Sequence, residues 1–138
     1  MKKTNNLKKR TTISGSTAKN KKKKEHPEAD LQHKAMEWFY SQYPDYCFIS
    51  THNESAYKSK EKYKYTGLYI GVADVIIIIP NKVLFIEFKA PKPHTSHISR
   101  EQKDFEHKVK WLISNDSHLY CYDLETFKEF ITQNINIQ

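Results

Sequence analysis

Cysteine and glycine are both scarce in this 138-residue chain, which has two of the first and three of the second. Cys47 and Cys121 are too few for a disulfide framework and stand at no metal-ligand spacing, which fits a reducing compartment. The glycines build neither a GxxxxGK[ST] phosphate cradle nor a GxGxxG turn, so nothing points to ATP, a dinucleotide or another nucleotide cofactor. No apolar run approaches the ~18–20 residues that span a bilayer. The N-terminus is lysine-rich but lacks the apolar stretch of a secretory signal. These absences lead away from membrane and exported proteins. They leave the expectation of an intracellular, cytoplasmic protein, nuclear or at a viral factory in a eukaryotic host.

Acidic residues are also missing from one region. The formal net charge is +7, from 23 Lys+Arg and 16 Asp+Glu. Residues 1–24 hold ten of those bases and no acid, so the remaining 114 residues carry 13 bases against 16 acids, a balance of −3. The basic character belongs to a tail, and the body is slightly acidic. Residues 1–24 have little to bury and read as a disordered arm ending in Lys21, Lys22, Lys23 and Lys24. Such a block can bind phosphate backbones, act as a nuclear localisation signal or simply solubilise. Residues 25–138 are of a length suited to one domain.

Order is expected from Pro27. Leu31, Ala35, Trp38 and Phe39 recur at helical spacing over residues 27–43, with Pro27 at a first-turn position and Glu28 and Asp30 near the positive end of the dipole. Residues 47–52 read as a strand and 53–66 as a polar loop. Residues 72–79 and 82–89 are rich in Val, Ile and Phe, and Pro80-Asn81 separates them, which predicts a β-hairpin. Val75 to Ile79 is apolar at every position, which predicts a strand covered on both faces. Residues 99–115 return to a helical pattern through Phe105, Val109 and Leu112. A strand follows over 118–122, and Asp123 caps a last helix with Leu124, Phe127, Phe130 and Ile131 on its apolar face. The order α-β-β-β-α-β-α places the body in the α/β class.

The hairpin carries the chemistry. A turn between Pro80 and Asn81 pairs residues whose numbers sum to 161, which sets Asp74 opposite Glu87. Glu87 and Lys89 share a face because side chains alternate along a strand. Two opposed carboxylates destabilise a sheet, and burying them without compensation costs more. A divalent cation such as Mg²⁺, bound through one or two carboxylates, would compensate. The alternative is a plain salt bridge at a solvent-facing strand end, with Asp74 capping a turn.

The segment Gly67-Leu68-Tyr69-Ile70-Gly71-Val72-Ala73-Asp74, followed by Phe85-Ile86-Glu87-Phe88-Lys89 and then Ser99-Arg100-Glu101-Gln102, resembles the VRR-NUC domain of the PD-(D/E)xK nuclease superfamily. Glu28 with Gln32, and Asn53-Glu54, also match its pattern. The resemblance covers residues 26–131. It departs at Ala73, where the family usually has proline, a position that shapes the backbone and carries no catalytic group. The resemblance implies a restriction-endonuclease-like αβββαβ core, a mixed central sheet flanked by helices, plus a C-terminal helix. It implies Mg²⁺ or Mn²⁺ held by Asp74 and Glu87, the Phe88 carbonyl as a third ligand, and Glu28 completing the site. Lys89 would orient or activate water, and Gln102 would hold the site together or touch substrate. The implied activity is a structure-selective DNA endonuclease acting on branched DNA such as Holliday junctions, as a homodimer, in replication, recombination or repair. A flap nuclease or exonuclease of the same fold and a non-catalytic DNA-binding module are the rivals.

Around this site, Lys58, Lys60, Lys62 and Lys64 alternate with Tyr63 and neighbouring polar residues. If extended, the four lysines point one way and Tyr57, Tyr63 and Tyr65 the other, as a phosphate-tracking ribbon or as a solvated loop. Gly67 and Gly71 would let backbone approach DNA closely or permit positive φ. Lys92, His94 and His97 lie on a polar loop after the hairpin. The His-x-x-His spacing finds no further Cys or His nearby to make a zinc site, and these side chains are candidates for phosphate contact. Phe105, Val109, Trp111 and Leu112 read as core or dimer surface.

Overall fold

The computed structural model describes residues 25–51 and 69–136. The basic arm, the lysine ribbon of 58–64, Asn53-Glu54, His52 and Gly67 lie outside these residues. The elements are α1 (Pro27–Gln42), β1 (Cys47–Ser50), β2 (Val75–Ile79), β3 (Lys82–Phe88), α2 (Arg100–Leu112), β4 (His118–Cys121) and α3 (Leu124–Asn136). They occur in the expected order. The strands form one sheet in the order β1-β2-β3-β4. The first three strands pair antiparallel, and β4 lies parallel to β3. The sheet is therefore mixed, with helices on both sides.

The hairpin register follows from a two-residue turn. Asn81 adopts a positive φ of 57°, a conformation that asparagine tolerates better than most residues, and Pro80 presets the φ before it. Ile79 pairs with Lys82 and Val75 with Ile86, and one step further sets Asp74 against Glu87. Alternation then sorts the strands onto two faces. Val75, Ile77, Ile79, Leu84, Ile86 and Phe88 share the first face and form the core with Leu31, Ala35 and Phe39 of α1 and Phe127 and Ile131 of α3. Phe127 packs on Trp38, Phe48 and Phe88 at ring separations of 5.9–6.4 Å. Cys121 is part of this core, and burial pushes its thiol up to about 12, so it acts as a small apolar side chain.

The second face is covered differently. Phe105 of α2 lies against Phe85 and His118, but its cover stops short of the far strands. Ile78 is 42% exposed and Ile49 of β1 is 44% exposed. The expectation of a β2 strand covered on both faces is thus corrected, because α2 roofs β3 and β4 and leaves much of β2 open. Trp111 and Leu112 are exposed as well, so of the four α2 positions only Val109 is buried and Phe105 half-buried.

Several boundaries also shift. Strand β2 begins at Val75 rather than residue 72, because Gly71 turns the chain with φ of 84°. A Cβ on Gly71 would land on the backbone carbonyl of Glu101. The glycine is therefore required for close packing against the start of α2, in the described structure a protein contact and not a DNA contact. Helix α2 ends at Leu112, where Ile113 N–H bonds back to Val109, and not at residue 115. None of the described helices is long and apolar enough to cross a membrane.

Candidate active site

Each acidic residue of the candidate site is held by hydrogen bonds. Thr51, just past β1, donates its hydroxyl to the Ala73 carbonyl (2.7 Å) and its N–H to the Asp74 carbonyl (2.9 Å). This clamp fixes the peptide before Asp74, the position where the sequence carries alanine in place of proline. The Asp74 carboxylate accepts the Phe88 N–H at 2.9 Å, which brings it to the middle of the Glu87-Phe88-Lys89 run. Glu28 reaches the same place from the first turn of α1, where its Oε1 accepts the Ala90 N–H at 3.2 Å.

Glu87 and Lys89 lie on the second face of the sheet, 4% and 5% exposed. Their Oε1–Nζ separation is 3.0 Å. Burial removes the alternative of a solvent-facing salt bridge. Lys89 has three ammonium donors, and all three are engaged: Glu87 Oε1, Gln102 Oε1 at 3.0 Å and the His97 carbonyl at 3.2 Å. Gln102 also donates through Nε2 to Glu87 Oε1. The same glutamine closes the N-terminal capping box of α2, where Ser99 N–H donates to its Oε1 and Ser99 Oγ accepts its N–H. Helix capping thereby aims a polar side chain into the site.

Electrostatics reinforce the cluster. Burial pushes Glu87 up to about 7, with the Asp74 charge adding to the rise and Lys89 opposing it. Burial also raises Asp74, against the Phe88 N–H bond and the Lys89 charge. Two carboxylates crowded in a low-dielectric setting, with one ammonium bonded to Glu87, resist being charged together. A divalent cation would relieve that conflict. The donors on hand are hard oxygens: Asp74, Glu87, Glu28 and the Phe88 carbonyl. Among the described residues no three Asp, Glu, His or Cys side chains converge into a complete cage. That donor set fits Mg²⁺ or Mn²⁺, which are commonly held by one or two carboxylates and several waters, better than it fits an all-protein cage.

A cleft of about 730 Å³ gives access from one side, lined by Glu28, Gln32, Ser50, Asp74, Phe88 and His94 among others. Gln32 donates to Ser50 Oγ across it at 3.3 Å. Glu87, Lys89 and Gln102 do not line this cleft. Lys92 is exposed on the loop and also stays outside the lining, whereas His97 enters the site through its backbone carbonyl. The fold therefore places Glu28, Asp74 and Phe88 on the cleft and Glu87, Lys89 and Gln102 in a hydrogen-bonded cluster beside it, the Asp74 charge acting on Glu87. Lys92 stays outside the lining, and the lysines of 21–24 and 58–64 lie outside the described residues. Thr51 and Ser96 are polar contacts of the site that sequence reading missed. Neither stands in a motif, and each acts through tertiary bonds to residues distant or out of phase in the chain.

No family model and no curated protein matches this chain. Among solved structures, a VRR_NUC domain protein is similar over 82% of this chain and 91% of its own length, with a TM-score of 0.64 and 21% identity. The coverage of both chains and the mixed sheet of this chain agree with the architecture that the resemblance implies. The fold of this chain is that of a VRR_NUC domain, of the restriction-endonuclease-like type.

Proposed function

We propose that the chain is a nuclease: a Mg²⁺- or Mn²⁺-dependent DNA endonuclease, structure-selective on branched DNA such as Holliday junctions and acting in replication, recombination or repair. One observation carries this reading. A largely apolar sheet buries Glu87 and Lys89 within reach of the Asp74 charge, an arrangement that costs stability and for which a bound divalent cation gives a use. The VRR_NUC name of the structural neighbour supports the same class.

Phosphodiester hydrolysis adds a water oxygen to phosphorus and breaks one ester P–O bond, leaving a phosphate monoester and a free hydroxyl. Asp74 and Glu87, with the Phe88 carbonyl, would hold the ion, and Glu28 would complete the site directly or through water. A bound Mg²⁺ or Mn²⁺ supplies a nucleophile at neutral pH and stabilisation of developing negative charge. Lys89 orients the attacking water and offsets charge on the scissile phosphate. To do so it gives up one of its three present bonds, the longest being that to the His97 carbonyl. Gln102 holds Lys89 and Glu87 in register during that exchange. Lys92 and His94 contact neighbouring phosphates, and the lysines of 58–64 and 21–24 extend the same contacts, so binding falls steeply with salt.

Two active sites on one branched substrate call for a homodimer. The open part of the second sheet face supports one. Ile49 and Ile78 are exposed there, Val83 pairs with Ile78 across the hairpin, and Ile113 shares a surface cleft with Val83. These exposed apolar side chains, rimmed by Asn81, Lys82, Ser114 and Asp116, fit a second copy of the chain.

The test is one assay of purified protein with Mg²⁺ or Mn²⁺ on labelled linear, flapped, single-stranded and four-way-junction DNA, beside Asp74→Asn and Lys89→Ala. Paired symmetrical nicks in junctions, lost in both variants, are expected. Cleavage that survives both substitutions would move the active site elsewhere. Cleavage only from free ends or at flaps would select the exonuclease or flap reading, and binding without cleavage would make this a DNA-binding module. Removing residues 1–24 is expected to weaken DNA binding while the metal requirement persists.

A further inference from the structure

The loop joining β3 to α2, residues 90–99, is pinned to the site at three points. Its far end is the capping box, where Ser99 N–H meets Gln102. In its middle the His97 carbonyl accepts from Lys89. The third point is Ser96. Its Oγ accepts the Ala90 N–H at 2.6 Å and donates to Glu28 Oε1 at 3.2 Å, while Ala90 N–H also meets Glu28 Oε1 at 3.2 Å. Ser96, Ala90 and Glu28 thus form a closed triangle between residues 68 positions apart in sequence.

We infer that Ser96 is a positioning residue for Glu28. Both donors fall on one carboxylate oxygen, Oε1. Among the described residues no hydrogen bond falls on Oε2, and Glu28 shares its cleft with Asp74. The negative charge of Glu28 also contributes to the rise of the Asp74 carboxyl, so the two are within electrostatic reach. A solvent-exposed glutamate on the first turn of a helix has several rotatable bonds and would sample many positions. Two donors on one oxygen remove that freedom and leave the other oxygen for the divalent ion that Asp74 and Glu87 hold. Because the serine lies two residues past His94, the same bond ties the DNA-facing part of the loop to the metal site.

This inference rests on the metal-dependent reading above, and the experiment separates the two. Mn²⁺ binding by the full-length chain is measured directly by electron paramagnetic resonance without DNA, alongside the Mn²⁺ dependence of cleavage. Wild type, Ser96→Ala, Ser96→Thr, Glu28→Gln, the Ser96→Ala/Glu28→Gln double variant and Asp74→Asn are compared. Ser96→Ala is expected to weaken Mn²⁺ binding about tenfold and to raise the Mn²⁺ needed for half-maximal cleavage, with the rate at saturating Mn²⁺ largely kept. Ser96→Thr, which keeps the hydroxyl, restores wild-type binding, and the double variant binds no more weakly than Glu28→Gln alone. Wild-type Mn²⁺ affinity in Ser96→Ala, or additive losses in the double variant, would overturn the role of Ser96 while leaving the nuclease reading intact. If Asp74→Asn binds Mn²⁺ as tightly as wild type, both fall. Ser96 is only half-buried, so its alanine variant is expected to fold, and a thermal melt checks it.

Discussion

The two faces of the sheet are built from the same strands and serve opposite ends. The first is closed by α1 and α3 and holds an aromatic and aliphatic core in which Phe39, Ile77, Leu84, Ile86, Phe127 and Ile131 have no exposure. The second, roofed in part by α2, holds Glu87, Lys89, His118 and the Tyr120 hydroxyl, then opens onto bare isoleucines. Apolar burial is concentrated on the first side, and the buried Glu87–Lys89 pair of the proposed site lies on the second. A sheet can carry buried charge when its reverse face supplies enough apolar burial to tolerate the cost. Substitutions on the first face should therefore lower stability alone, and those at the buried pair should lower stability and function together.

The largest effect is expected on the first face. Phe127→Ala removes a fully buried ring that touches three other aromatic residues. The loss should be about 3–5 kcal/mol, read as a lower midpoint in urea, with no change in the metal requirement of the folded fraction. A loss below about 1 kcal/mol would mean that the two faces share the load.

Next comes the buried pair on the second face. Lys89→Met leaves Glu87 without its cation and should cost about 3 kcal/mol. Adding Glu87→Gln removes the orphaned charge, so the double variant should regain part of that loss while remaining unable to cleave. If the two losses add, Glu87 and Lys89 do not act as a unit.

The pH dependence of stability, measured in chelator, gives a smaller effect with two opposing signs. Burial depresses His118 from 6.5 to about 4, against the pull of Glu106 and with Lys110 adding to the drop. As pH falls from 6.5 to 4 the unfolded chain takes up a proton that folded His118 refuses, so this group destabilises by about 3 kcal/mol over that window. Glu87 works the other way. Its folded value is raised from 4.5 to about 7, so between pH 7 and 4.5 the folded state takes up a proton first and gains stability. Asp74, also raised, adds to that gain. The wild-type curve should be nearly flat between pH 7 and 4.5. His118→Phe should make the protein more stable on acidification, and Glu87→Gln should make it less so. Parallel curves for all three proteins would remove both assignments.

How much of this was legible beforehand depended on range. The hairpin register was readable because a two-residue turn leaves no slack, and it brought Asp74, Glu87 and Lys89 together by counting alone. Gln102 entered through the resemblance of Ser99-Arg100-Glu101-Gln102 to the VRR-NUC pattern, and the capping box that aims it, a four-residue signal, went unread. The start of β2 was misplaced because its cause is nonlocal: Gly71 packs on Glu101, and Thr51 clamps the Ala73-Asp74 peptide. Ser96 was invisible for the same reason, since its partner Glu28 lies 68 residues away. The burial of β2 was overstated for a different reason. An unbroken apolar run records how poorly the residues suit water, and whether a helix reaches them depends on where α2 ends.

Ile78 gives the smallest effect on stability and the sharpest test of that open face. Its side chain points away from the core and is 42% exposed, so Ile78→Thr keeps a β-branched residue on the strand and removes little buried surface. The monomer should change by no more than about 0.5 kcal/mol. The proposed dimer should respond far more, because the hydroxyl would then be buried against a second copy without an assigned partner. Sedimentation velocity at one protein concentration should show wild type as a dimer and Ile78→Thr shifted toward monomer, with unchanged metal binding per chain. A variant that remains dimeric would place the interface elsewhere and leave the exposed isoleucines of β1 and β2 without a partner. Monomerisation with lost symmetrical nicking would tie the uncovered half of the second face to the chemistry of its covered half.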